Sequence, residues 1–257
     1  MPRTTYALFF AFLFLSFAAN AQSKKNLKDS ASVIIFNQSS NTSTAKKHRS
    51  SESNIIKIAP LGLLSGTFPI LYERRITDFF SIQAAGGITL KNYTRSAFAK
   101  EAEISYTYPW NNTSYYDEAS PIYDFQYRKP KMGFMASVQP RVYFASEGLD
   151  GSFLGLSFDY YKYKFEIPAL KGTSGNYSHT GAMQSEFENI KDYMVHFGYQ
   201  SLYDRISLEY STAIGMRNVT GSKYAATTYG GSLQEGFATY KQSILNFNFG
   251  IKVGYHF

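Results

Sequence analysis

The last twelve residues, NFNFGIKVGYHF, alternate without a break. Phe247, Phe249, Ile251, Val253, Tyr255 and Phe257 fall on one face, and Asn246, Asn248, Gly250, Lys252, Gly254 and His256 on the other. A period of two belongs to a β-strand, because successive side chains point to opposite faces of a sheet. Chain ends fray unless something ties them down. A strand that alternates up to its final aromatic ring is therefore expected to be paired, as the closing strand of a sheet.

Seven earlier runs share the pattern, so that the predicted strands are 54–64, 67–76, 79–91, 131–145, 152–166, 191–202, 205–217 and 242–257. In the run 205–217, Ile206, Leu208, Tyr210, Ile214 and Met216 oppose Arg205, Ser207, Glu209, Ser211, Ala213, Gly215 and Arg217. In 191–202, Tyr193, Val195, Phe197 and Tyr199 oppose Asp192, His196, Gly198 and Gln200. Short links at 77–78, 146–151 and 203–204 alternate with long ones at 92–130, 167–190 and 218–241. Hairpin links of this kind imply antiparallel neighbours, and alternation gathers the long links at one end. The short Leu64-Ser65-Gly66 link departs from this rule, since it falls at the long-link end.

One face of every run is apolar and rich in Phe and Tyr. The other carries Lys57, Glu73, Arg75, Gln139, Arg141, Asp159, His196, Arg205, Glu209 and Lys252, interleaved with glycine. Eight strands enclose an interior just wide enough for side chains. Charges of both signs could satisfy one another there as a lumen polar network, with small residues beside the long ones. The apolar face then turns outward, to lipid. The chain is accordingly expected to be all-β, an eight-stranded antiparallel up-and-down transmembrane β-barrel over residues 54–257. An aromatic content of 18%, from 22 Tyr, 22 Phe and one Trp, suits many half-apolar strands. Pro60, Pro69 and Pro140 remove ladder donors and belong at edges or bulges.

Residues 1–21 read as a cleaved signal peptide. Arg3 precedes the apolar stretch ALFFAFLFLSF, which is too short to span a bilayer, and Ala19-Asn20-Ala21 supplies the small residues of a cleavage site. Residues 22–53 have the Ser-, Asn- and Lys-rich composition of a disordered basic periplasmic tail. Six of its side chains are basic against Asp29 and Glu52, which leaves 54–257 with +2 of the total +7. Basicity confined to a tail gives no footprint for nucleic acid. The chain has no cysteine, which excludes disulfides, thiolate zinc sites and a lipidated cysteine.

Candidates for chemistry are few. His48, His179, His196 and His256 are the histidines, and the same-face neighbours of His196 are Met194 and Gly198 rather than a serine. His179 has no second ligand at metal-binding spacing, and no glycine-rich phosphate cradle opens a helix. No catalytic, metal or cofactor-binding residue is therefore expected. The aromatic-dense loop holding Tyr108, Trp110, Tyr115 and Tyr116 is a candidate binding surface, because Tyr and Trp give large contact area at low entropic cost. Its alternation also suits a hairpin that simply continues the flanking strands.

The closing strand, with Phe249, Ile251, Val253, Tyr255 and terminal Phe257, resembles the C-terminal assembly signal of outer-membrane barrels. The first hairpin, IKIAPLGLLSGTFPILYERRITD, resembles the opening of small porin-like barrels of the OmpA/OmpX type from Gram-negative bacteria. That resemblance implies a location in the outer membrane and contact with its lipid and lipopolysaccharide. It also implies recognition by the barrel-assembly machinery. The expected function is non-catalytic, in envelope integrity or in surface adhesion and binding of an extracellular ligand through long loops. The second reading is a small porin-like conduit, and the third a lipid A-modifying enzyme.

Overall fold

In a computed structural model of the protein, the described residues are 53–90, 106–107, 127–144, 148–173, 176–229 and 232–257. The expected signal peptide (1–21), nearly all of the tail (22–53) and the aromatic loop residues Tyr108, Trp110, Tyr115 and Tyr116 lie outside them.

The fold is all-β. Its strands are β1 (Asn54–Ile58), β2 (Thr67–Arg75), β3 (Phe80–Thr89), the two-residue β4 (Tyr106–Thr107), β5 (Lys129–Phe144), β6 (Gly151–Thr173), β7 (Asn176–Tyr203), β8 (Ile206–Tyr229) and β9 (Ser232–His256). Eight of them pair antiparallel in the order β1-β2-β3-β5-β6-β7-β8-β9, and β1 returns to β9 to close a ring. The closing ladder joins Ile55 to His256 and Ile58 to Val253. It is completed by reciprocal backbone bonds between Asn54 and Phe257, at 3.2 and 2.9 Å. The final aromatic residue is tied down, as its alternation requires. β4 pairs with β9 at Tyr240 and Thr239.

Inside and outside follow the period of two. On β7, Tyr193, Val195, Phe197 and Tyr199 are exposed, and Asp192, Met194, Gly198 and Gln200 are buried. On β2, Phe68, Ile70 and Tyr72 point out while Leu71 and Glu73 point in. The large apolar side chains thus form the outer wall, with Phe247 60% and Leu156 59% exposed. The interior is layered. Ile55, Tyr143, Leu149 and Phe153 pack at the end bearing the short turns. Tyr163, Ile190, Val219 and Tyr240 pack toward the other end, and Ile167, Ala169, Leu170, Tyr224 and Ala226 pack beyond them.

Three boundaries differ from the sequence reading. The first strand, expected over 54–64, stops at Ile58, because Pro60 has no N–H to donate and opens a 3-10 helix, Pro60–Ser65. Gly66 ends that helix at φ 69°, a left-handed conformation that glycine adopts at no steric cost. The supposed loops 167–190 and 218–241 are paired hairpins instead. β6 and β7 remain in register from Gly151↔Gln200 up to Thr173↔Asn176, with one irregularity at 168–170, and β8 and β9 up to Tyr229↔Ser232. Buried residues such as Ile167, Ile190, Val219 and Tyr224 are spaced irregularly among polar and small ones in these extensions, so they lack the strict alternation that reveals a strand.

Close approach dictates one residue. Gly133 lies at the irregularity of the β5–β6 ladder between Lys131 and Phe134, and a Cβ there would sit 1.8 Å from the Lys162 carbonyl oxygen. Gly86 faces outward with nothing within 4 Å of such an atom. Gly133→Ala should therefore cost about 2 kcal/mol of stability and Gly86→Ala almost nothing. Urea midpoints of the refolded protein in detergent micelles would report the difference.

Candidate functional site: an ion-paired plug and a side cavity

Every ring strand contributes to one layer that crosses the interior. Lys57 comes from β1, Glu73 from β2, Ser81 and Gln83 from β3, and Gln139, Arg141 and Tyr143 from β5. Phe153 comes from β6, Gln200 from β7, Glu209 from β8 and Lys252 from β9. Position along each strand explains the meeting: all of these residues belong to the inward set, and the register brings them to one level.

Glu209 is the hub. It accepts from Lys57 Nζ at 2.6 Å, from Arg141 Nη1 and Nη2 at 2.9 and 3.0 Å, and from Lys252 Nζ at 2.7 Å. Glu73 accepts from Lys57, from Arg141 Nη1 at 3.2 Å, from Tyr143 Oη at 2.7 Å and from Ser81 Oγ at 2.5 Å. Lys57 also donates to Gln200, and Arg141 Nη2 to Gln139 Oε1 at 2.7 Å. The Arg141 guanidinium lies 4.4 Å from the centre of the Phe153 ring. Glu73, Arg141 and Glu209 are 0% exposed. Buried ions need this density of partners, because desolvation otherwise exceeds the Coulombic gain.

A second polar layer lies above the first. Arg217 holds Asp192 with two bonds, at 2.8 and 2.6 Å. Asp159 accepts from Ser137 and, at 2.7 Å, from Ser157, whose hydroxyl is also 2.9 Å from His196 Nε2. Serine, histidine and aspartate are thus together, but not in the order of a nucleophilic triad. There the acid holds the far nitrogen of the imidazole. Here Asp159 holds the serine, and His196 Nδ1 has no partner among the described residues.

Of the expected lumen residues, Lys57, Glu73, Gln139, Arg141, Glu209 and Lys252 meet in the plug, and Asp159 and His196 lie in the layer above. Arg75 and Arg205 do not join them. Arg75 stands at the end of β2 beside Gly148. Arg205 lies in the β7–β8 turn, exposed, and donates to the outward Tyr255 hydroxyl at 2.9 Å. Both residues have the right parity, but Arg205 lies past the last β7–β8 rung, and Arg75, on the terminal β2–β3 rung opposite Ser81, is half-exposed at the rim. Sequence reasoning missed Tyr143, Gln83 and Gln200 as partners, although parity alone places them inward. It also missed Ser157, which reaches His196 diagonally across the β6–β7 ladder rather than along one strand.

Between the two layers and the wall lies a cavity of about 450 Å³, lined in part by Gln139, Asp159, His196, Asn248 and Lys252. It also touches Leu61 and Leu64 of the 3-10 helix and the outward Phe247, Phe249 and Ile251 of β9. No cluster of three or more His, Asp or Glu with metal-holding geometry occurs among the described residues.

Removing the hub should be severe. Glu209→Leu strands Lys57, Arg141 and Lys252 without their shared partner and is expected to cost about 3–5 kcal/mol. Glu209→Gln, which keeps two polar atoms, should cost less. Chemical denaturation of the refolded variants checks the order. Comparison with known proteins gives no match to any family model, curated protein or solved structure.

Proposed function

We propose that this chain is an outer-membrane β-barrel with a sealed interior, non-catalytic, which acts at the cell surface in adhesion or envelope integrity through hairpins that stand above the bilayer. The observation that carries the reading is an apolar belt of membrane height around an ionic interior. On β7 the belt runs from Tyr193 to Tyr203, with Lys191 beyond one end and the turn at Asp204 beyond the other. A spanning strand needs about 9–11 residues. On the neighbouring strand, Leu154, Leu156, Phe158 and Tyr160 are followed by Lys162 and Lys164, so that lysines succeed aromatics at the same level. Aromatic girdles and snorkelling cations mark membrane boundaries in this way.

A soluble barrel built around a ligand would have the opposite polarity, with apolar side chains inside and ions out. The plug bears on the remaining alternatives. Side chains from all eight ring strands fill one level of the interior, which supports a sealed barrel over a conduit. The imidazole lacks an orienting acid, which supports a non-catalytic role over a lipid-modifying one. β7 and β8 run well past the belt, and the paired segments beyond it pack through Ile167, Leu170 and Tyr224. Leu170 N–H donates to the Tyr224 hydroxyl at 3.0 Å, which fastens one hairpin to the other. These ordered projections offer a binding surface that does not depend on flexible loops.

Five measurements test the reading. The full chain, refolded in detergent, should migrate differently on gels before and after boiling and should float with liposomes. In planar bilayers it should give no steady conductance, and a stable ohmic pore would favour the conduit. Deleting 168–183, which leaves Ile167 opposite Gln184, should preserve the gel shift while abolishing adhesion by cells that display the protein. Altered acylation of lipopolysaccharide incubated with the refolded barrel would overturn the non-catalytic assignment.

A further inference from the structure

Among the described residues the ring has one incomplete wall. β9 pairs with β8 along its whole length, but with β1 only from Val253 to His256 and with β4 only at Thr239 and Tyr240. Between these patches no described residue pairs with its outer edge. Alternation of the antiparallel ladder turns the backbone N–H and C=O of Ser243, Leu245, Phe247, Phe249 and Ile251 toward that gap. The 3-10 helix Pro60–Ser65 stands where β1 would otherwise continue, held inward by the bond from Tyr163 Oη to the Ser65 carbonyl at 3.0 Å.

The cavity opens through this gap. Its lining includes both inward residues and the outward Phe247, Phe249 and Leu64, so it reaches the outer wall at the level of the apolar belt. Asn248 belongs to the inward set yet is exposed, unlike its counterparts on the other strands at this level. Deeper in, Gln139 is 2% exposed and its Nε2 has no partner among the described residues. Its Oε1 is already engaged by Gln83 and Arg141, so the amide is fixed with its donors unused. Lys252 Nζ, bonded to Glu209, lies in the same wall. A polar cavity lined by spare donors, with a mouth rimmed by Phe and Leu, matches an amphiphile whose head offers acceptor oxygens. A volume of about 450 Å³ lies within the range of small-molecule sites.

We propose that this side cavity binds the head of a single-chain acyl lipid, a fatty acid or a monoacyl glyceride, which enters from the bilayer between β9 and the 3-10 helix. The carboxylate or ester oxygens accept from Gln139 Nε2 and the Lys252 ammonium, and the acyl chain leaves between Leu64 and Phe247. The proposal rests on the membrane reading above. It goes beyond that reading by assigning a ligand class to a specific place.

The test uses the full chain in nanodiscs and cis-parinaric acid, a fluorescent fatty acid. Saturable binding of one molecule per barrel is expected. Palmitate competing better than monopalmitoyl glycerol would identify the carboxylate as the head, and the reverse order would identify the ester. Asn248→Phe at the mouth and Ala213→Leu in the wall should each weaken binding by about tenfold or more. Ala136→Leu, on the outward face, should not. The boiling-dependent gel shift shows that each variant is folded. Competition by hexadecane equal to that by palmitate would overturn the head-group assignment. Absence of saturable binding, or equal binding by the cavity variants, would overturn the site. Binding that appears only after deletion of 92–104 would show that the chain's own loop fills the cavity, and would overturn it as well. Failure to float with liposomes would sink the membrane reading itself, whereas flotation without binding would sink only this inference.

Discussion

Glu209 cannot be buried alone, and almost everything inside the ring is arranged around that fact. A carboxylate removed from water survives only when its acceptor sites are filled by well-placed donors. Three cations from three different strands supply them here, and two of them, Lys57 and Arg141, are anchored further by Glu73. The outside of the barrel follows from the same constraint. Once the inward positions at the plug are taken mainly by ions and amides, the period of two leaves most of the large apolar side chains on the outer wall. Ionic interior and apolar exterior are two results of one alternation.

This arrangement also accounts for the division of labour along the axis. Where the ring is narrow and filled, the strands differ little in length and are joined by short turns. Beyond the belt, β6 to β9 continue as paired hairpins whose inner faces pack on one another. Among the described residues the wall is continuous except along the upper edge of β9, where a proline-led helical turn replaces strand. The polar cavity at that point is the geometric result of one strand being cut short.

How much of this is legible in the sequence depends on which face a residue occupies. Residues such as Ile214 and Phe197 sit in strict alternation against polar neighbours, so their strands and their outward orientation can be read directly. Ring closure can be read from the alternation of the final strand up to Phe257. The extensions 167–190 and 218–241 cannot, because runs such as SEFENIK carry no apolar stripe wide enough to signal a period. Membership of the plug is half legible. Parity selects Lys57, Glu73, Arg141, Glu209 and Lys252, but parity does not say where a strand ends, so it selects Arg75 and Arg205 at the rim as well. The cavity is not legible at all. It depends on the height at which β1 stops relative to β9, a three-dimensional offset that neither strand encodes alone.

The short β1–β9 ladder has a consequence for how the chain reaches its final form. Most neighbouring strands are joined by local hairpins, whose closure costs little entropy, whereas Ile55 and His256 meet only after the whole sheet has curled. With so few rungs, that last encounter gains little from backbone pairing. The cations of the first half, Lys57 and Arg141, gain Glu209 as a partner only when the second half arrives. An open, half-curled sheet would hold these two cations against Glu73 alone, so completion of the ring is rewarded at its centre as well as at its seam. The fold is in this sense latched from within: its final step is driven by electrostatic neutralisation among residues remote from the edges that join.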